Sequence, residues 1–246
     1  MNNLRTYNPP KDFLAGRVIL VTGATRGIGR SISNSLILHG ATVVIHGRNT
    51  DALNSLSDEH KDLELKPKVE ILDLENTNEK AYQILSERLL SEYGRLDGLL
   101  HNASILGSRV AIGSYASDEW QKVIQVNLNS AFMLTKSLLP LLRCSSDASM
   151  VFTTSGVGNH GKANWGAYCV SKFGIEGLAQ TLADELKDTK IRVNYIDPGA
   201  TRTDMRHAAY PDEDPETLPL PESLLGSYLY LLGPESKGIN SKRIIA

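Results

Sequence analysis

The stretch Val18-Ile19-Leu20-Val21-Thr22-Gly23-Ala24-Thr25-Arg26-Gly27-Ile28-Gly29 decides the fold. Its first four residues are apolar without alternation, the pattern of a strand buried on both faces. Gly23, Gly27 and Gly29 follow in a G-x-x-x-G-x-G spacing, and a helical pattern over 28–39 begins at once. Glycines there let the turn tighten and the backbone approach a pyrophosphate, which then rests on the helix N-terminus. A glycine-rich string alone is weak. Between a strand and a helix, at the start of a βαβ unit, it is a strong signature.

The same alternation continues outward. Short apolar, β-branched runs at 42–46, 69–72, 99–101, 150–154 and 192–196 read as strands. Helical patterns fall near 51–58, 79–92, 118–142 and 167–187. Strand and helix in this order predict an α/β fold: one Rossmann-type, doubly wound parallel sheet of about seven strands, with helices on both faces. Asn49 or Thr50 before Asp51, and Ser117 before Asp118, are expected N-caps. No linker or repeat divides residues 1–246, so a single domain is expected. One segment breaks the alternation: 201–223 is expected to be a long irregular lid over a substrate, because it follows the last central strand and is rich in Pro, Asp and Glu.

Bulk properties narrow the function. The chain has 246 residues and a net charge of −2, with no basic run to suggest a nucleic acid or membrane surface. The N-terminus lacks the apolar region of a secretory signal, and no apolar run is long enough to span a bilayer, so a cytoplasmic protein is expected. Cys144 and Cys169 form neither a disulfide framework nor a metal-ligand cluster, and no metal is expected. Cys169 reads as a packing residue.

The second strand bears on the nucleotide. An NAD-selective site places a carboxylate at its end to hold the ribose 2′-hydroxyl. Here the strand runs Val44-Ile45-His46-Gly47-Arg48-Asn49. Gly47 takes the acid's place, and Arg48 follows. A guanidinium suits the 2′-phosphate of NADP, and Arg26 offers a second contact. NADP(H) is therefore expected over NAD(H).

Tyr168 and Lys172 are four apart, with Ser155 thirteen residues upstream of the tyrosine. On a helix, residues i and i+4 share a face. A nearby ammonium is expected to pull the phenol's pKa down from about 10. A proton donor tuned toward working pH is what reversible carbonyl reduction needs. The spacing alone occurs often by chance; its setting gives it weight.

Together these segments make the chain resemble the single-domain short-chain dehydrogenase/reductase family over essentially its whole length. The segments run in the family's order: Thr22 to Gly29, Asp73-Leu74, His101-Asn102-Ala103-Ser104, Val126-Asn127-Leu128, then Ser155, Tyr168 and Lys172, then Pro198-Gly199 with Thr201 and Thr203. The 163–168 stretch and the Asp/Pro-rich loop are similar to a bacterial oxidoreductase branch. The resemblance implies that Tyr168 is the general acid in reduction and the base in oxidation. It implies that Lys172 tunes Tyr168 and binds the nicotinamide ribose, that Ser155 holds the substrate carbonyl oxygen, and that Asn127 positions Lys172 through a water. It also implies the cofactor contacts. Gly23, Thr25, Arg26, Gly27, Ile28 and Gly29 would hold the pyrophosphate. Arg48 and Asn49 would lie at the adenosine phosphate, with Asp73 and Leu74 bordering the adenine. Asn102, Ala103 and Ser104 would line the adenosine side, and Pro198, Gly199, Thr201 and Thr203 the carboxamide end. His101 and Ser104 stand where the family usually has Asn and Gly. The family's aspartate-diglycine ending is absent, which leaves the last strand, near 242–246, open.

The expected function is an NADP(H)-dependent oxidoreductase acting on a small carbonyl or alcohol, as a homodimer or homotetramer. The alternative is a nucleotide-sensing protein that keeps the fold without the chemistry. A serine hydrolase using Ser155 and His160 fits poorly, because Ser155 lacks the G-x-S-x-G elbow. Trp165, Tyr210 and His160 are candidates to line the substrate pocket.

Overall fold

The computed structural model describes residues 4–63 and 66–246. Seven parallel strands form one sheet: β1 (Val18–Thr22), β2 (Thr42–Gly47), β3 (Lys68–Ile71), β4 (Gly98–His101), β5 (Ala148–Thr153), β6 (Ile191–Asp197) and β7 (Arg243–Ile245). Their order across the sheet is β3-β2-β1-β4-β5-β6-β7. The chain winds outward from β1 to β3, then returns to the other side of β1 for β4. That reversal opens a crevice beyond the carboxyl ends of β1 and β4, the usual ligand position in such sheets.

The helices are α1 (Gly27–Leu38), α2 (Thr50–Asp58), α3 (Glu79–Tyr93), α4 (Ser117–Ile124), α5 (Ser130–Arg143), α6 (Gly166–Glu185), α7 (Asp204–Ala209) and α8 (Leu225–Leu232). Every residue of β1, β4, β5 and β6 is buried. Successive strand side chains point to opposite faces, so the sheet feeds two cores. Leu20, Val44, Leu99, Met150 and Val193 pack with α3, α5 and α6. Ile19, Val21, Val43, Ile45 and Val151 pack with α1, α2 and α8. The doubly wound parallel sheet expected from the alternation is the sheet observed.

Several local expectations need correction. Asn49, not Thr50, caps α2: its side chain accepts from the Ala52 N–H at 3.0 Å. Ser117 is not a cap. It is the first residue of α4, and Ala116 precedes it without a side-chain hydrogen bond. The single helix expected over 118–142 is interrupted by a π-helical turn at Gln125–Asn129. The 201–223 segment expected to form a lid is not irregular throughout, since α7 lies inside it. Thr203 caps that helix by accepting from the Arg206 N–H at 3.2 Å. The open question at the C-terminus is resolved: Arg243, Ile244 and Ile245 pair with Tyr195, Ile196 and Asp197.

Candidate active site

A cavity of about 1020 Å³ lies across the carboxyl ends of the central strands. Its far end is built by the glycine turn. Gly23 has a left-handed backbone (φ 68°), and a Cβ there would lie 2.8 Å from the Ala103 Cα. A Cβ on Gly29 would lie 2.2 Å from the Gly23 carbonyl oxygen. The turn and the first turn of α1 therefore close only with glycine at these points. The Thr22 hydroxyl ties this turn to the next strand: it accepts from the N–H groups of Asn102 and Ala103, each at 3.0 Å. It also donates to the Leu100 carbonyl at 3.2 Å. Asn102 returns its amide to the Thr22 carbonyl at 3.2 Å.

Three guanidinium side chains, those of Arg26, Arg30 and Arg48, line this end. Arg26 pairs with Asp204 at 3.0 Å, and Arg48 reaches Glu75 at 3.8 Å; both arginines are well exposed. Exposed pairs of this kind are weak and are readily exchanged for an anionic ligand. Arg30 leans on α2, donating to the Ala52 carbonyl at 3.1 Å and pairing with Glu59. Gly47 stands where an NAD site would carry its acid. A Cβ there would meet the Thr25 methyl at 2.7 Å. Asp73 is held by the Asn76 amide at 2.7 Å and the Glu75 N–H at 3.1 Å. The Asn76 bond is the main reason its carboxyl titrates below the usual range.

The other end holds Ser155, Tyr168 and Lys172. Tyr168 and Lys172 lie on one face of α6, both buried. Ser155 follows the end of β5, and its hydroxyl lies close enough to the Tyr168 phenol to favour the ionised form. Lys172 donates to the Thr153 carbonyl at 2.8 Å, and its Nζ stands 5.5 Å from the Tyr168 ring centre. The expected lowering of the phenol is not what the protein itself imposes. Burial raises Tyr168 to about 12, against the Ser155 hydroxyl, and the charge of Asp197 adds to the rise. Burial lowers Lys172 to about 8, with Asp197 working the other way. The phenol is thus a neutral proton donor near pH 7.

Asn127 sits in the π turn, where one extra residue swings its side chain inward. Its Oδ1 accepts from the Ile105 N–H at 2.8 Å, and its Nδ2 donates to the Ile105 carbonyl at 2.9 Å and the Ser171 hydroxyl at 3.0 Å. It makes no direct bond to Lys172. Instead, Asn127, Ser130, Thr153 and Lys172 border a small second cavity of about 10 Å³, close to the size of one water.

Within this frame the chain matches the short chain dehydrogenase model over residues 17–214. The protein belongs to the short-chain dehydrogenase/reductase family. It is an oxidoreductase of that family. The oxidoreductase YciK of Escherichia coli (strain K12) is 46% identical over 232 residues, covering 94% of this chain and 92% of YciK. The narrower likeness to a bacterial oxidoreductase branch therefore holds. The 3-oxoacyl-[acyl-carrier-protein] reductase FabG of Thermotoga maritima is 31% identical over 94% of this chain and 96% of its own. A short chain dehydrogenase of Pseudomonas syringae superposes with a TM-score of 0.95 at 51% identity, covering 97% of this chain and 98% of that one. One from E. coli CFT073, complexed with NADPH, gives 0.94 at 44% identity, covering 96% and 99%.

The main cavity gathers Gly23, Thr25, Arg26, Gly27, Ile28, Gly29, Arg48, Asn49, Asp73, Leu74, Asn102, Ala103, Ser104, Ser155, Tyr168, Lys172, Pro198, Gly199, Thr201 and Thr203. Of the catalytic and cofactor-binding residues expected from sequence, Asn127 alone stands outside the main cavity, at the small one. Trp165 lines the main cavity, whereas Tyr210 and His160 do not. Tyr210 packs behind Trp165 at 5.9 Å between ring centres. His160 is exposed on the loop after β5. Sequence reading missed Arg30, one turn into α1, although its spacing from Arg26 was a usable signal. It also missed His46, buried beside the cavity and held near pKa 4 by burial. It missed the charged groups beneath Ser155, which converge from β6, α6 and β7.

Proposed function

We propose that this protein transfers a hydride between NADP(H) and a carbonyl/alcohol pair, with Tyr168 as the acid and base. The carrying observation is the convergence of Ser155, Tyr168 and Lys172 on one wall of the cavity whose far end offers a glycine turn and three guanidinium groups. The crystallised NADPH complex of the E. coli CFT073 relative supports the cofactor.

The residues present fit that cofactor. Gly23 and Gly29 let the turn close on its own main chain, since a side chain at either would collide there, and the closed turn would present its backbone to a pyrophosphate. Arg48 and Arg26 would hold the 2′-phosphate, and Gly47 supplies no carboxylate to oppose it. Asp73 and Leu74 would border the adenine, Asn102 to Ser104 the adenosine side, and Pro198 to Thr203 the nicotinamide end. Bound NADPH supplies the hydride. All proton handling falls to the protein. Ser155 orients the substrate oxygen by hydrogen bonding. Tyr168, protonated near neutrality, gives it a proton. Lys172 then supplies charge and a proton path toward the water-sized cavity at Asn127.

The same reading makes the protein one domain over 1–246, cytoplasmic and homo-oligomeric. Phe132 on α5 and Val170 and Phe173 on α6 remain 44–48% exposed, an apolar face suited to a second copy. No described helix is long and apolar enough to cross a membrane.

Fluorescence titration with NADPH and NADH tests the cofactor, and a carbonyl panel with the preferred one tests the chemistry. Tighter NADPH binding and NADPH-dependent carbonyl loss are expected. Equal affinity for NADH would overturn the cofactor assignment. Tight binding with no turnover on any carbonyl would make the protein a nucleotide sensor.

A further inference from the structure

The last strand brings a charge beneath the catalytic wall. Arg243 opens β7 and is largely buried, with 18% of its side chain exposed. Its Nη2 donates to the Ser155 carbonyl and to Asp197 Oδ2, each at 3.0 Å. Its Nε donates to Glu176 Oε1 at 3.1 Å. Glu176 lies on α6 one turn beyond Lys172 and accepts from the Thr154 hydroxyl at 2.8 Å. Asp197 ends β6, and its other oxygen accepts from the Gly199 N–H at 3.0 Å. One guanidinium therefore joins the main chain of Ser155, the helix of Tyr168 and Lys172, and the strand leading into Pro198 and Gly199.

Such a cluster is not a natural way to stabilise a strand end. Taking these charges out of water costs much of what their attraction returns, and apolar replacements are often as stable. What the cluster does provide is a defined field. Asp197 acts on Lys172, Tyr168 and Tyr228 alike, and burial alone outweighs it at Lys172. The groups facing Asp197 are Arg243 from β7, Tyr168 and Lys172 from α6, and Tyr228 from α8, while Glu176 of α6 shares the Arg243 guanidinium. The N-terminal segment reaches the same corner, where Arg5 donates to the Ala246 carbonyl.

We propose that Arg243 and Asp197 are positioning residues of the reaction: Arg243 fixes the Ser155 backbone and counters the charge of Asp197, so that the pair sets the field in which Tyr168 and Lys172 exchange protons. The proposal rests on the carbonyl/alcohol reading of the site. The field itself can be read without any substrate.

The test is the titration of Lys172, followed by NMR of isotope-labelled lysine and assigned with Lys172→Arg. Arg243→Met leaves Asp197 uncompensated, so the Lys172 midpoint should rise by on the order of one pH unit. Asp197→Asn should lower it by a similar amount, and the double variant should return it close to the starting value. Arg243→Lys keeps the charge but loses the fork to Ser155. It should leave the midpoint in place and lower kcat at unchanged KM for NADPH. In the alcohol-oxidation direction, the alkaline limb of the pH profile should move upward in Arg243→Met, a shift that a purely structural role would not give. An unmoved or lowered Lys172 midpoint in a cooperatively melting Arg243→Met protein would overturn the proposal. If that variant does not fold, Asp197→Asn, close in shape, probes the same field with the opposite sign, and an unmoved or raised midpoint there overturns the proposal equally. Shifted midpoints without turnover on any carbonyl would sink the enzymatic reading and leave the field assignment standing.

Discussion

Lys172 points its ammonium at the Thr153 carbonyl, 2.8 Å away, rather than at the Tyr168 oxygen. The strand end thus fixes the lysine, and the phenol keeps its proton because of burial. Replacing Tyr168 with Phe should therefore remove the proton source while leaving the wall in place. A fall in kcat of about 10² to 10⁴-fold is expected, with NADPH affinity changed only a few-fold. Stopped-flow or steady-state rates beside a fluorescence titration check both halves. Wild-type turnover in the variant would remove Tyr168 from the mechanism.

The buried lysine leaves a mark on stability. Lys172 titrates near 8 in the fold and near 10.4 unfolded. Between these values the unfolded chain holds the extra proton, so this group makes stability rise as pH increases. Below about 8 its burial cost is present in full. Wild type should gain on Lys172→Met as pH goes from 8 to 10, by up to about 3 kcal/mol. Urea midpoints of both proteins across that window measure it; parallel curves would mean that the lysine is not desolvated.

Cofactor choice should follow the guanidinium groups. Arg48→Ala removes one charge-assisted contact to a 2′-phosphate, a change of about 1.5–3 kcal/mol. NADPH should bind about 10-fold or more weakly, and NADH about as before. Titrating the variant with both nucleotides decides it, since equal losses would place Arg48 away from the phosphate.

At the opposite end of the sheet, Asp147 accepts from Arg17 at 2.9 Å and pairs with Arg192, which is 6% exposed. Asp147→Ala would leave a buried guanidinium without its counter-charge. A loss of about 3–5 kcal/mol is expected, with nucleotide affinity in the remaining folded protein unchanged. Thermal and chemical denaturation would show it, and a near-neutral result would mean that the pair is compensated by water.

How far the sequence carries can be seen in single residues. β1 was legible because four apolar residues in a row leave few alternatives before a glycine turn. Tyr168, Lys172 and Ser155 were legible through their spacing and setting. The π turn at Gln125–Asn129 was not, because one added residue leaves the apolar pattern on either side intact. Arg243 and Asp197 were hidden for another reason. They are 46 residues apart in sequence and meet only when β7 is laid beside β6. The direction of the Tyr168 shift also lay outside reach, since desolvation is a property of the packed wall and not of a four-residue spacing.

The close approach of Thr25 to Gly47 constrains how this protein could change its nucleotide. An acid introduced at Gly47 to grip a ribose hydroxyl would first meet the Thr25 methyl at its own Cβ, 2.7 Å away. The Thr25 side chain therefore has to turn aside or become smaller before a carboxylate fits at position 47. Because Thr25 lies in the glycine turn, a path toward NADH couples the end of β2 to that turn from its first step.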